Sequence, residues 1–298
     1  MRPKMKIRNK FVTIGLIQTK VSENSELNVQ KTVKLIEKAA KKGAKIICLQ
    51  ELFKTPYFCQ GPKDKKKFAL AETVPGPTTT LLGKLAKEYR VVILCSIFEK
   101  TEAKGKKKKY YNSLVVIGAQ GKIIGTYHKM HIPSLPKGYY SENYYFEKGK
   151  TDFKVFKTEY GTIGTLICYD QWFPEAARAA ALKGAQILFY PTAIGWPKGD
   201  PKWKKRAEHE AWQITQRSHG IDNNIFIASV NRIGTEKDIQ FWGSSFVSDP
   251  YGRLLGSAST SKEEILIVPV DFSVTKKMRE EWPFLDERKI KLEKVENA

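Results

Sequence analysis

The chain is 298 residues long, with 52 Lys and Arg against 31 Asp and Glu and a formal net charge of +21. No apolar run approaches the ~20 residues a membrane span requires, and the basic N-terminus MRPKMKIRNKFV lacks the apolar stretch of a secretory signal. The expectation is therefore a cytoplasmic protein with no membrane role. The charge raises the question of a nucleic-acid or polyanion partner. Its distribution answers against one, because lysine is spread along the chain and its clusters, at 65–67 and 106–109, fall in apparent loops.

Extended and helical patterns alternate for most of the length, as in an α/β layer architecture. Residues 12–18 read as a first strand. Val29, Val33, Ile36 and Ala40 then recur at helical spacing, with Gly43 as the helix stop. The buried strand IICL follows and delivers Gln50 and Glu51 at its C-terminal end. Residues 81–89 read as helix and 91–98 as strand, and the strands 114–117 and 123–127 flank AQGK as a hairpin. After Asn231, strands are expected at 241–247 and 265–270, separated by the DPYG turn. The end of the chain, KKMREEWPFLDERKIKLEKVENA, reads as a charged tail that packs on a partner or on solvent rather than forming core.

The segments KAAKKGAKIICLQE (38–51) and RAAALKGAQILFYPT (178–192) repeat the order helix, KGA, apolar strand. Two similar halves with their sheets packed face to face would produce this echo. Recurrence of a common turn would produce it as well.

Cys168 closes the strand TIGTLIC and precedes YDQWFPE, where Pro174 suits the first turn of a helix. Such a strand-to-helix elbow presents a side chain at the sheet edge beside free backbone N–H groups, which suits a nucleophile and an oxyanion. A thiol is only partly ionised at neutral pH and needs a base or a positive charge nearby. Glu51, at the mouth of a strand, is placed to be that base, and Lys129 follows a strand in GTYHKMHIP. Cys48 and Cys95 lie inside apolar strands and read as packing. The four cysteines have no C-x-x-C spacing, and no carboxylate or cysteine completes a ligand set near His128 and His131, so neither disulfide nor metal is expected. The absence of a Gly-rich phosphate loop points to no cofactor.

The glutamate in CLQELF, the lysine in YHKMHIP and the cysteine in ICYDQWFPE resemble the three catalytic motifs of the nitrilase superfamily, in order and approximate spacing. The resemblance extends over nearly the whole chain, including YPTAIG, the segment ending in His219 and Gly220, and ASVNRIG. It implies a four-layer αββα sandwich, a hydrolase domain over 9–275, and a tail over 276–298 at a subunit interface of a homo-oligomer. It also implies Glu51, Lys129 and Cys168 as catalytic residues, with Glu142 in YSENYYF as an auxiliary carboxylate and the Tyr169 N–H at the oxyanion.

Within the superfamily, the run DQWFPEAARAAALKGAQILFYPTAIG resembles the N-carbamoylputrescine amidases of polyamine synthesis. Where many of those enzymes carry a short acidic segment, this chain reads WPKGDP. Asp200 and Glu208 are expected to take over the cationic end of such a substrate, with Trp196 as a cation–π face. Asp170 reads as serving the elbow's own backbone. The alternatives are a β-ureidopropionase, an ω-amidase or a nitrilase of the same chemistry and, from a different class, a non-catalytic binding protein on the same fold.

Overall fold

The computed structural model describes residues 11–101, 107–135, 139–149 and 153–289. The basic N-terminal stretch 1–10, Lys106 and the tail residues 290–298 lie outside the described residues.

Two six-stranded sheets form the centre. The first has the order β15-β1-β2-β3-β4-β5, from β1 (Phe11–Gln18), β2 (Ile46–Leu49), β3 (Val92–Thr101), β4 (Lys109–Ile117), β5 (Ile123–His128) and β15 (Glu264–Asp271). The second has the order β14-β13-β10-β8-β7-β6, from β6 (Val155–Thr158), β7 (Gly161–Thr165), β8 (Ile187–Pro191), β10 (Phe226–Val230), β13 (Phe246–Ser248) and β14 (Leu254–Ser257). In each sheet three central strands run parallel and are joined by helices, with antiparallel strands outside them. The linking helices are α1 (Ser25–Lys41) and α2 (Pro77–Tyr89) in the first half, and α3 (Pro174–Leu182) and α4 (Lys202–Asn223) in the second.

Side-chain alternation shows why the layers stack. In IICL, Ile46 and Cys48 face the second sheet, and Ile47 and Leu49 face Ile36 and Ala39 of α1 and Leu82 of α2. Both faces are covered, so the strand reads as one apolar run. The result is helices, sheet, sheet, helices: the four-layer α/β sandwich. Cys48 and Cys95 are buried packing residues within it.

The KGA echo is structural. Gly43 and Gly184 both have φ of +92°, the left-handed conformation that ends a helix. Ala44 N–H donates to the Ala39 carbonyl at 3.1 Å, and Ala185 N–H to the Ala180 carbonyl at 3.1 Å. Gly15 and Gly164 are matched points of close approach between strand and helix. A Cβ at Gly15 would stand 3.0 Å from Ala44 Cβ, and one at Gly164 2.8 Å from Leu188 Cδ1 and 3.2 Å from Ala180 Cβ.

Two expectations change. The run 241–247 is not one strand: Gly243 and Ser244, both with φ of 55°, break it into β12 (Ile239–Trp242) and β13 in different sheets. The DPYG turn joins β13 to β14 rather than to β15. β12 pairs instead with β9 (Gly195–Pro197) and β11 (Ile233–Glu236). The tail also begins as part of the fold, since α5 (Ser273–Glu281) runs through residue 276 and buries Met278 completely, and Arg279 donates to the Ala185 carbonyl at 3.2 Å. After it, α6 (Phe284–Glu287) leaves Trp282 and Phe284 exposed.

The close approaches predict that Gly15→Ala and Gly164→Ala each destabilise by about 1–3 kcal/mol through overpacking. Gly43→Ala, which meets nothing within 4 Å, should cost about 1 kcal/mol from its backbone conformation alone. Urea titrations of the three variants check the ranking.

Candidate active site

Three strand ends meet at one edge of the sandwich. Glu51 follows β2, Lys129 follows β5 and Cys168 comes shortly after β7. Glu142 arrives from a 3-10 turn, Glu142–Tyr144, in the connection to β6. Glu51, Lys129 and Glu142 are all fully buried. Lys129 Nζ donates to Glu51 Oε1 at 2.8 Å and to both oxygens of Glu142 at 2.8 Å. Asn112 Nδ2 donates to the same Glu51 Oε1 at 2.7 Å, and Tyr57 Oη to Glu142 Oε1 at 2.7 Å. Glu51 Oε2 has no hydrogen-bond partner among the described residues, so it is the oxygen left to take a proton.

The charges explain how the group holds together. Burial pulls Lys129 down, but Glu142 and then Glu51 raise it by more, so it stays an ammonium. Burial lifts the Glu142 carboxyl, Lys129 lowers it and Glu51 lifts it again, and the net position is about 7. Cys168 is pushed well above the usual thiol range, first by burial and then by Glu51, against the opposing pull of Lys129. It therefore rests as a thiol, and a thiol acts as a nucleophile only with a base beside it.

Cys168 has φ of 43°, a left-handed conformation rare outside glycine, at the start of the 3-10 turn Cys168–Trp172. The first N–H groups of such a turn have no acceptor inside it, and the Tyr169 N–H is one of them. Asp170 holds the turn in place: fully buried, it accepts from Ile167 N–H at 2.9 Å, His131 N–H at 3.0 Å, His131 Nδ1 at 2.7 Å and Tyr127 Oη at 2.9 Å. These bonds tie the elbow to the segment that carries Lys129. His131 also stacks on Phe173, and His128 is engaged by Glu99 at 2.9 Å, so both histidines have protein partners. Among the described residues no group of three or more His, Cys, Asp or Glu is placed to hold a metal.

Sequence reasoning passed over Arg232. Its fully buried guanidinium donates to the carbonyls of Glu51 at 2.6 Å, Leu52 at 3.0 Å and Thr55 at 3.2 Å, and pairs with Glu236 at 2.8 Å. It thereby clamps the turn behind Glu51, where Leu52 has φ of 46°. Arg232 stands in ASVNRIG, but nothing in that segment points to a partner 180 residues away. Asn112 and Tyr57 were invisible for the same reason.

A cavity of about 640 Å³ opens onto Cys168, lined also by Tyr169, Tyr140, Trp172 and Trp242. Asp200 and Glu208 line it as expected, together with Lys198 and Lys204. Trp196 does not. Its indole N–H donates to the Lys205 carbonyl at 2.8 Å and its ring packs on Trp242 at 5.2 Å, so the expected cation–π face turns away from the cavity.

Residues 13–280 match the carbon-nitrogen hydrolase family. The chain belongs to that family. It is 40% identical over 297 residues to a tomato N-carbamoylputrescine amidase, spanning 97% of this chain and 95% of the relative. It is 37% identical over 286 residues to a citrullinase of Francisella tularensis, spanning 94% and 96%. The crystal structure of a carbon-nitrogen hydrolase from Helicobacter pylori G27 superposes with a TM-score of 0.89 at 38% identity, covering 97% of this chain and 99% of that one. This hydrolase is thus an enzyme of the nitrilase fold.

The Glu142 carboxyl titrates at about 7 in the folded hydrolase against an ordinary 4.5, so folding favours its protonated form. The stability this group contributes is present below about pH 4.5 and is lost as pH rises through about 7. Melting curves of wild type and Glu142→Gln should therefore separate between about pH 5 and pH 8, with the wild type losing ground. A pH-independent gap would contradict the assignment.

Proposed function

We propose that this hydrolase removes the carbamoyl group from a small N-carbamoyl amine, with N-carbamoylputrescine as the reference substrate. The observation that carries the reading is a cavity-lining thiol, protonated at rest, backed by a buried carboxylate with one unpartnered oxygen and by a permanently charged lysine. The ureido end is shared by the substrates for which the tomato and Francisella relatives are named.

In the proposed sequence Glu51 takes the proton of Cys168 as the sulfur attacks the carbamoyl carbon of R–NH–CO–NH2. The Tyr169 N–H and Lys129 hold the oxyanion. Lys129 already makes three bonds, so donation to the oxyanion exchanges one of its two contacts with Glu142, whose remaining oxygen keeps it oriented. Glu51 returns the proton to the departing nitrogen, ammonia leaves, and R–NH–CO–S–Cys168 remains. Water, deprotonated by Glu51, then releases the thiol and a carbamate, which breaks down to R–NH2 and carbon dioxide.

Cys168→Ala and Glu51→Gln should each lower ammonia release from N-carbamoylputrescine by about 10³-fold or more, while Cys48→Ala keeps its kcat and loses only stability. Substantial turnover in Cys168→Ala, or a wild-type preference for N-carbamoyl-β-alanine or an ω-amide, would overturn the reading.

We also propose a cytoplasmic homo-oligomer, with α3 and the tail at the contact. Support comes from Leu182 on α3 and from Trp282 and Phe284, large apolar side chains that the single chain leaves exposed. Light scattering at micromolar concentration should give at least a dimer, and Trp282→Ala with Phe284→Ala should weaken it. A fully active monomer would refute the proposal.

A further inference from the structure

We infer that His219 and Trp212 are positioning residues for the nucleophile: from one face of α4 they hold Gln171, three residues past Cys168, and with it the direction of the Cys168 sulfur and of the Tyr169 N–H. The roles of Cys168 and Tyr169 rest on the carbamoyl-hydrolase reading above; what is added is the element that aims them.

Asp170 ties one side of the elbow to the segment that carries Lys129. The other side hangs on α4. In a 3-10 turn each carbonyl is met by the N–H three residues on, and for Gln171 that residue is Pro174, which has none. Gln171 is fully buried, so its carbonyl needs a donor from elsewhere. His219 supplies it, with Nε2 2.9 Å from the carbonyl oxygen. The residue is 4% exposed, and burial holds the ring below the usual histidine range, so it is neutral at neutral pH and carries a single N–H. Facing a carbonyl, which only accepts, that proton sits on Nε2. Trp212 grips the same residue by its side chain, the indole N–H donating to Gln171 Oε1 at 2.9 Å. Trp212 and His219 are both buried and lie two turns apart on one face of α4.

Cys168, Tyr169 and Gln171 belong to one short turn, so a shift of the Gln171 carbonyl turns the peptides before it. Cys168 holds a left-handed φ of 43°, a conformation that persists only while its surroundings enforce it. Misplacing reacting groups by about 1 Å costs on the order of 10²-fold in rate. Neither Trp212 nor His219 is among the residues that line the cavity. They act through Gln171, and their loss falls on the chemical step rather than on substrate binding.

Initial rates of ammonia release from N-carbamoylputrescine by the full-length enzyme read the split. His219→Phe, which keeps a ring and loses the donor, should lower kcat by about 10–100-fold with KM within about 2-fold of wild type. His219→Gln, whose amide N–H reaches toward the same carbonyl, should recover most of the loss. Trp212→Phe removes only the indole N–H and should lower kcat by a smaller factor, and it carries the test should His219→Phe fail to fold. Alkylation of Cys168 by iodoacetamide at neutral pH, followed by mass spectrometry of the Cys168 peptide, reads the same geometry without a substrate. It should slow by about 10-fold in His219→Phe, whereas a site that has merely loosened reacts faster. Wild-type kcat in both Phe variants, no recovery in His219→Gln, or faster alkylation would overturn the inference. If the wild type releases no ammonia from any carbamoyl amine while alkylation still slows in His219→Phe, the carbamoyl reading fails and the positioning role stands.

Discussion

Lys129 is an ammonium with no exposure to solvent, held between two carboxylates with none either, and the rest of the site is arranged around keeping it there. Removing one partner of such a group leaves an uncompensated buried charge, at a cost of about 3–5 kcal/mol. With all three groups ionised the trio would carry one negative charge in excess. The fold relieves this by lifting Glu142 to about 7, so near neutrality the trio holds a proton for part of the time. Two buried carboxylates sharing one lysine and an exchangeable proton form a group able to accept and return a proton at working pH, and the thiol of Cys168 needs such a neighbour.

The two halves of the fold supply this group unequally. Counted from the matched alanines of the KGA turns, Glu51 lies seven residues beyond Ala44, and the same step from Ala185 reaches Thr192. Counted from the matched glycines, Cys168 lies four residues beyond Gly164, and the same step from Gly15 reaches Thr19. Each half therefore offers two strand ends at the shared edge and specialises one of them, a carboxylate in the first and a thiol in the second. Packing the sheets face to face brings the specialised ends together. The buried clamps follow from this arrangement, because Arg232 reaches from the second half to the Glu51 turn, and Asp170 reaches from the elbow to the Lys129 segment.

Much of this was legible in one dimension. A four-residue run such as IICL, buried on both faces, leaves an unmistakable pattern, and Gly43 and Gly184 mark helix ends through a conformation that glycine adopts most readily. The elbow was legible because Pro174 can only open the next helix. What stayed hidden depends on distance in sequence: the reach of Arg232 to the Glu51 turn, the Asn112 bond to Glu51 and the way Trp196 turns toward Trp242 are set by packing between segments, and a local pattern carries no trace of them. The break of 241–247 was hidden for another reason. Two consecutive residues with positive φ, one of them a serine, move the chain from one sheet to another, whereas hydropathy alone reads a continuous strand.

The charges behind Cys168 and those at the far end of the cavity are held by different parts of the molecule. Behind Cys168 every charge is buried and fixed by several bonds, whereas the charges at the other end of the cavity sit half-exposed on a loop and the first turns of α4. Substitutions in WPKGDP and at the start of α4 can therefore change the far end of the cavity without touching the trio. Relatives of nearly equal identity, 40% and 37%, are named for different carbamoyl compounds. The net charge of +21 bears on the same point. Fields from surface lysines extend about 8–10 Å at physiological salt. They repel an incoming cation such as a carbamoyl diamine, so any attraction of a cationic tail has to come from contacts inside the cavity.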